Sequence, residues 1–241
     1  MYSKSVLSKE PLGEYSLLYF VFVLIFPYRP HGTLHIGMSL QGMVTRKKDQ
    51  LGLLANLVLR TLIHAEAANI TKANADELNI SDVPEPQLIS AIKAAGNYGD
   101  IYERNMELWL PRKGLNLLYS ASDANESGLH YSHPTGEINY FRHEFAADSK
   151  INQILERGSL ICGVIGNEEQ SMETDYCRAL SASLFSGNPN LVDIVKINYE
   201  NLAGLVTKLD SGEVDVIAGA AVVAAPLFPD LTFTQPYYFD G

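Results

Sequence analysis

Apolar residues at Leu51, Leu54, Val58 and Leu62 repeat at the spacing of one helical face, which predicts a helix over 50–68 with a stop near Asn69. Thr71 is placed to cap a short turn after it. Pro86–Ala95 reads as a second helix, with Gly96 in the position that closes one. Asp100 is placed to start a third, which runs to about Trp109 because Pro111 cannot continue it. Polar, turn-forming sequence follows over 120–149, including "SASDANESGLHYSHPTGE", and reads as a linker. Beyond it the period alternates. Lys150–Arg157 predicts a helix capped by Asp148 or Ser149 and ended by Gly158, and Ser159–Val164 a strand. Asp175–Phe185 predicts a helix, Val192–Ile197 a strand, Glu200–Leu209 a helix and Val214–Ala218 a strand. A βαβαβ order implies a parallel sheet covered by helices, an α/β fold. The aromatic run "TFTQPYYFDG" at 232–241 is strand-like.

One stretch departs from this pattern. Residues 14–48 hold a single acid, Glu14, and four bases, Arg29, Arg46, Lys47 and Lys48; with this segment at +3, the net charge of −10 leaves −13 on the rest. Within it, Tyr15–Tyr28 ("YSLLYFVFVLIFPY") is almost wholly apolar but shorter than the roughly 20 residues that cross a bilayer. Lys4 and Lys9 upstream give it the look of a signal-peptide core, but no small-x-small cleavage site follows. A buried or ill-fitting insert and a signal-like or membrane-surface segment both fit, and neither supplies a strand to the α/β region. The chain thus divides into 1–13, the insert 14–48, a helical region 49–119, the linker 120–149 and an α/β region 150–241.

The acidic balance argues against nucleic acid as a partner, since phosphate recognition needs basic patches. Glycine-rich phosphate loops, a G-x-S-x-G elbow and metal-ligand spacings are all missing, so the sequence motivates neither an enzyme nor a cofactor or metal. His64 and Glu66, two apart on a helix, do not share a face. Cys162 and Cys177 read as two reduced core thiols or, in an oxidising compartment, as a pair. What the parallel sheet does suggest is a small-molecule site at the carboxyl ends of its strands.

Several segments carry a resemblance. "LERGSLICGV" at 155–164, "DYCRALSASLF" at 175–185, "SGEVDVIAG" at 211–219 and "FTQPYYFDG" at 233–241 resemble the N-terminal lobe of extracellular solute-binding proteins of family 3, in the general L-amino-acid-binding subgroup. "SKEPLG" at 8–13, "HAEAANITKANADEL" at 64–78, "GNYGDIYERN" at 96–105 and "LPRKGLN" at 110–116 resemble that subgroup's C-terminal end. The order is permuted and the family's middle, its smaller lobe, is missing. The resemblance therefore implies the large lobe of a periplasmic-binding-protein type II fold, permuted and incomplete, with a helical N-terminal region. The run resembling "PYYFDG" would enter the hinge and "SKEPLG" would return from it. A mis-joined product of two tandem genes is the alternative, with 14–48 as the seam.

The resemblance implies an L-amino acid as ligand, an ABC permease as partner, a periplasmic or extracellular location, and a Cys162–Cys177 disulfide. The positions left to orient a ligand are Asn167, Tyr199 and the backbone at Gly219, Ala220 and Ala221. Two family features are absent. The loop "IGNEEQSMET" has no aromatic residue to pack on a ligand, and "AAVVAAPLFPD" has no arginine to grip its carboxylate. Weak or absent binding is the expectation. A dehydratase-like enzyme of the same fold family and a non-catalytic interaction module are the alternatives.

Overall fold

The computed structural model describes residues 39–47, 50–77, 86–112, 149–165, 170–198, 202–221 and 229–240. Six strands make one open mixed sheet in the order β3-β2-β4-β1-β5, with β6 also on β1. They are β1 (Ser39–Arg46), β2 (Leu160–Ile165), β3 (Val192–Ile197), β4 (Val216–Ala221), β5 (Leu231–Phe233) and β6 (Tyr238–Asp240). The helices are α1 (Gln50–Ala67), α2 (Pro86–Ala95), α3 (Tyr98–Asn105), α4 (Lys150–Arg157), α5 (Met172–Leu184) and α6 (Leu202–Ser211), with a short 3-10 turn at Ala75–Glu77.

The α/β region builds as its pattern dictates. Ser149 caps α4 by accepting from the Asn152 amide. Gly158 ends the helix at φ 82°, a left-handed conformation that costs glycine nothing. In β2, β3 and β4 the side chains alternate between two faces. Cys162, Val164, Val216 and Ala218 join α1, α2, α3 and α5 in one core, whereas Ile161, Ile165, Val195, Ile197 and Ile217 pack with Leu205 and Leu209 of α6 in another. β2 pairs β3 and β4 in parallel, as the βαβαβ order predicts. The step from β2 to β3 runs through α5 on one face, and the step back past β2 to β4 runs through α6 on the other. Two steps opposite in both direction and face share one hand, as parallel crossovers do.

The sheet is not wholly parallel, and this corrects the reading of 14–48. Ser39–Arg46 is not an insert apart from the lobe. It is a central strand, antiparallel to β4, β5 and β6. Met43 and Val44 are 2% and 1% exposed, one in each core. The basic run hid a strand buried on both faces: Gly42 to Thr45 are buried in succession, and Arg46 at its end reaches solvent and pairs with Asp210. The apolar run Tyr15–Tyr28 and the segment "SKEPLG" lie outside the described residues, as does the 120–148 part of the linker.

The helical region docks on the same core, and its predicted boundaries shift. α3 starts at Tyr98, two residues before Asp100, because Asn97 is the cap and Asp100 accepts from the Asn97 amide, a reciprocal capping box. It ends at Asn105, and 106–109 form a turn closed by amides reaching the Met106 carbonyl. α5 starts at Met172 rather than Asp175, since Ser171 caps it by accepting from Thr174. Asp175 accepts from Arg104 Nη2 at 2.6 Å and Asn105 Nδ2 at 2.7 Å, tying α3 to α5. Cys162 and Cys177 form a disulfide, Cα–Cα 6.1 Å, that joins β2 to α5 inside the core. No described helix is long and apolar enough to cross a membrane.

Candidate functional site at the strand ends

In parallel register Ile165 stands beside Ile197, and Val164 beside Ala218, so β2 and β3 end level with each other while β4 runs on past the end of β2 to Ala221. The connections leaving β2 and β3 go to opposite faces, which is where open α/β sheets leave a crevice at the carboxyl edge. Asn167 and Tyr199 fall in those two connections and lie outside the described residues. Gly219 reaches the rim. Ala220 points to the α6 core and is fully buried, and Ala221 is the register partner of Gln41 in β1. Of the three backbone positions, Gly219 is thus the one beside β2's end.

Gly219 sits at φ +87°. A Cβ there would come within 3.1 Å of the Ile165 carbonyl and 3.3 Å of Glu173 Cγ, so the site requires glycine for both conformation and space. Its amide is already used: it donates to Tyr237 Oη at 2.7 Å. Tyr237 is fixed from three further directions. Its amide donates to the Gln41 carbonyl at 2.8 Å, its carbonyl accepts from Tyr98 Oη, and its ring lies 4.6 Å from that of Tyr176.

Glu173, in the first turn of α5, lies beneath this rim and is 7% exposed. Burial raises its carboxyl pKa; hydrogen bonds from its own amide, Ser171 and Tyr238 oppose that rise. Burial likewise pushes the phenols of Tyr176 and Tyr237 well above the ordinary tyrosine value. Tyr176 Oη is buried without a hydrogen-bond partner among the described residues. Sequence reasoning missed Glu173 because it placed 172–174 in a loop. The signal that finds it is Ser171 three residues before Thr174, a cap position that moves the helix start forward.

Elsewhere, two clefts among the described residues are lined by polar groups already engaged. A shallow cleft of about 590 Å³ borders Lys72, Asp100 and Arg104, but Lys72 donates to the Ala94 carbonyl, Asp100 closes the α3 capping box and Arg104 holds Asp175. A second cleft borders Glu66 and Arg112, which pair with each other. Among the described residues no group of histidine, cysteine and carboxylate side chains is arranged to hold a metal. The rim thus places Glu173, Tyr238 and the Gly219 turn near one another, with Lys196 exposed close to the end of β3 beside it. No family model matches the chain, and no curated protein or solved structure matches it.

Proposed function

We propose that the chain is the amino-acid-binding lobe, or a remnant of one, of an ABC-type amino-acid importer, and that it holds its ligand weakly. The pairing of β6 with β1 carries this reading. Ser39 and Asp240 are register partners, so the chain enters β1 and leaves β6 at one place. Gln41 pairs with Ala221, which puts that place at the carboxyl end of β4, on the ligand side of the sheet. Adjoining strand termini beside a strand-end rim would suit a lobe hinged to a second lobe. The buried Cys162–Cys177 disulfide fits the oxidising compartment in which such receptors work. Weakness follows from the rim: the Gly219 amide is spent on Tyr237, and "AAVVAAPLFPD" brings no arginine to a carboxylate.

Titration of ¹⁵N-labelled protein with L-amino acids, followed through its amide resonances, tests this. The expected result is shifts centred on Ile165, Ser171 and Gly219 with dissociation constants of about millimolar or weaker, a free energy of about −4 kcal/mol. Shifts confined to another face, or none at all, would overturn the reading. A micromolar constant would overturn the weakness.

A further inference from the structure

We propose that Tyr237 is a positioning residue that couples the strand-end rim to the strand leaving the lobe: it holds a bulge at Gly219, so that a displacement of β6 is passed to the rim. The inference rests on the hinged-lobe reading for the movement it transmits. The first observation is the bulge. Along β1 and β4, Met43 pairs with Ala218 and Gly42 with Ala220, and the register shifts between them, so Gly219 opposes no residue of β1. Its φ of +87° is the conformation in which a glycine serves as the extra residue of a bulge. Such a residue takes its amide off the ladder, which leaves the amide needing another acceptor. Tyr237 Oη is that acceptor, at 2.7 Å.

The second observation is the route. Gln41 is the register partner of both Ala221 in β4 and Tyr238 in β6, so these two strands flank β1 on opposite sides. To reach Gly219 the Tyr237 side chain therefore crosses β1, and it does so within the core shared with α1, α2, α3 and α5. It crosses without slack. The residue is fully buried, its amide donates to the Gln41 carbonyl at 2.8 Å, and its carbonyl accepts from Tyr98 Oη of α3. Its ring centroid lies 4.6 Å from that of Tyr176 and 5.5 Å from that of Tyr238, the first residue of β6. A side chain packed this closely leaves its hydroxyl to follow the backbone. The third observation is what the bulge abuts. A Cβ at Gly219 would stand 3.1 Å from the Ile165 carbonyl, at the end of β2, and 3.3 Å from Glu173 Cγ, in the first turn of α5. A shift of the bulge is therefore felt at both, because close-packed neighbours transmit strain.

Amide hydrogen exchange, read by NMR on the full ¹⁵N-labelled chain, needs no ligand, so its outcome is separate from that of the amino-acid titration. Tyr237→Phe keeps the ring and removes the hydroxyl, and Gly219 is expected to exchange about tenfold faster, the loss of one hydrogen bond. The coupling is tested from the far side of Tyr237. Tyr98→Phe removes the bond from α3 to the Tyr237 carbonyl and should speed Gly219 exchange about threefold, with Val164 of β2 and Val195 of β3 unchanged. In the double variant Gly219 should exchange as it does in Tyr237→Phe alone, because the path is already cut. Gly219 unaltered in Tyr98→Phe would overturn the coupling and reduce Tyr237 to a local bond; this arm decides the matter even if Tyr237→Phe does not fold. Equal acceleration at Gly219, Val164 and Val195 would overturn it as a general loosening. The expected exchange pattern in a protein whose rim no amino acid shifts would leave the coupling standing and overturn the importer reading.

Discussion

Replacing Asp175 by alanine tests how the helical region is held to the α/β region. The Asp175 side chain is 10% exposed and accepts from Arg104 Nε at 3.1 Å, Arg104 Nη2 at 2.6 Å and Asn105 Nδ2 at 2.7 Å, with Arg178 3.6 Å away. Removing one member of a fully buried pair costs about 3–5 kcal/mol, because the remaining charge is stranded. Arg104 is not stranded to that degree. Its side chain is 35% exposed, and it keeps the Ala95 and Asp100 carbonyls at 3.0 and 3.3 Å. The expected loss for Asp175→Ala is therefore about 2–3 kcal/mol, or a fall in Tm of roughly 4–10 °C for a domain of this size. Arg104→Ala should cost less, and the double variant should fall short of the sum of the singles by about 1 kcal/mol or more, since both remove the same contact.

Urea denaturation followed by far-UV circular dichroism measures all three. Tryptophan fluorescence would report poorly, because the single tryptophan, Trp109, is 81% exposed in the native fold. A loss below about 0.5 kcal/mol with additive singles would refute the reasoning, since that is the behaviour of an exposed ion pair. A biphasic transition in Asp175→Ala, with the helical part melting first, would show that the clasp is the main link and that the shared core between α1, α2, α3 and α5 is weaker than its burial implies.

Other outcomes follow from the same geometry. Cys162→Ala with Cys177→Ala should cost about 3 kcal/mol through the longer reach of the unfolded chain, and alkylation of the native protein in denaturant without reductant should label no thiol. Met43→Ala, in the centre of β1, should cost about 2–4 kcal/mol by thermal denaturation, whereas an insert outside the core would tolerate it. Glu173→Gln should change the pH dependence of stability in a fixed direction. Burial raises the native carboxyl pKa above its unfolded value of about 4.3, so ionisation costs the native state more as pH rises from there, and the variant should gain on the natural protein between pH 4 and pH 8 in chemical denaturation. A gain in the opposite direction would mean that the hydrogen bonds from Ser171 and Tyr238 outweigh desolvation.

The parallel part of the sheet was legible because every signal agreed. Ser149 and Gly158 bracket an amphipathic turn, short apolar runs follow, and the spacing leaves room for one helix between strands. β1 was not legible for a definable reason. Its pattern is read against a stretch of unusual composition, and an antiparallel strand that completes a sheet from far along the chain leaves no local trace of its partners. The Met43 amide donates to Thr234 Oγ1 across 191 residues, and with the hydroxyl's own bond to the Gln235 carbonyl this satisfies a buried polar threonine. Periodicity states that a segment can be a strand, and the partners decide whether it is one.

The site was half legible for a related reason. Topology alone points to the strand ends, and Gly219 stood out because it follows an apolar strand. What sequence could not supply is the convergence of Tyr98, Glu173, Gly219 and Tyr237 from α3, α5, β4 and the approach to β6. That convergence changes the chemical conclusion. Read along the chain, a glycine at the end of β4 offers a free amide to an anion. In the fold, the amide is taken by Tyr237 and the adjoining volume by Glu173, so the same glycine stands beside an acid and an aromatic wall. An arginine missing from "AAVVAAPLFPD" then has a different meaning. As an isolated loss it would leave a site merely weaker; beside the buried carboxyl of Glu173, a carboxylate ligand would meet like charge as well.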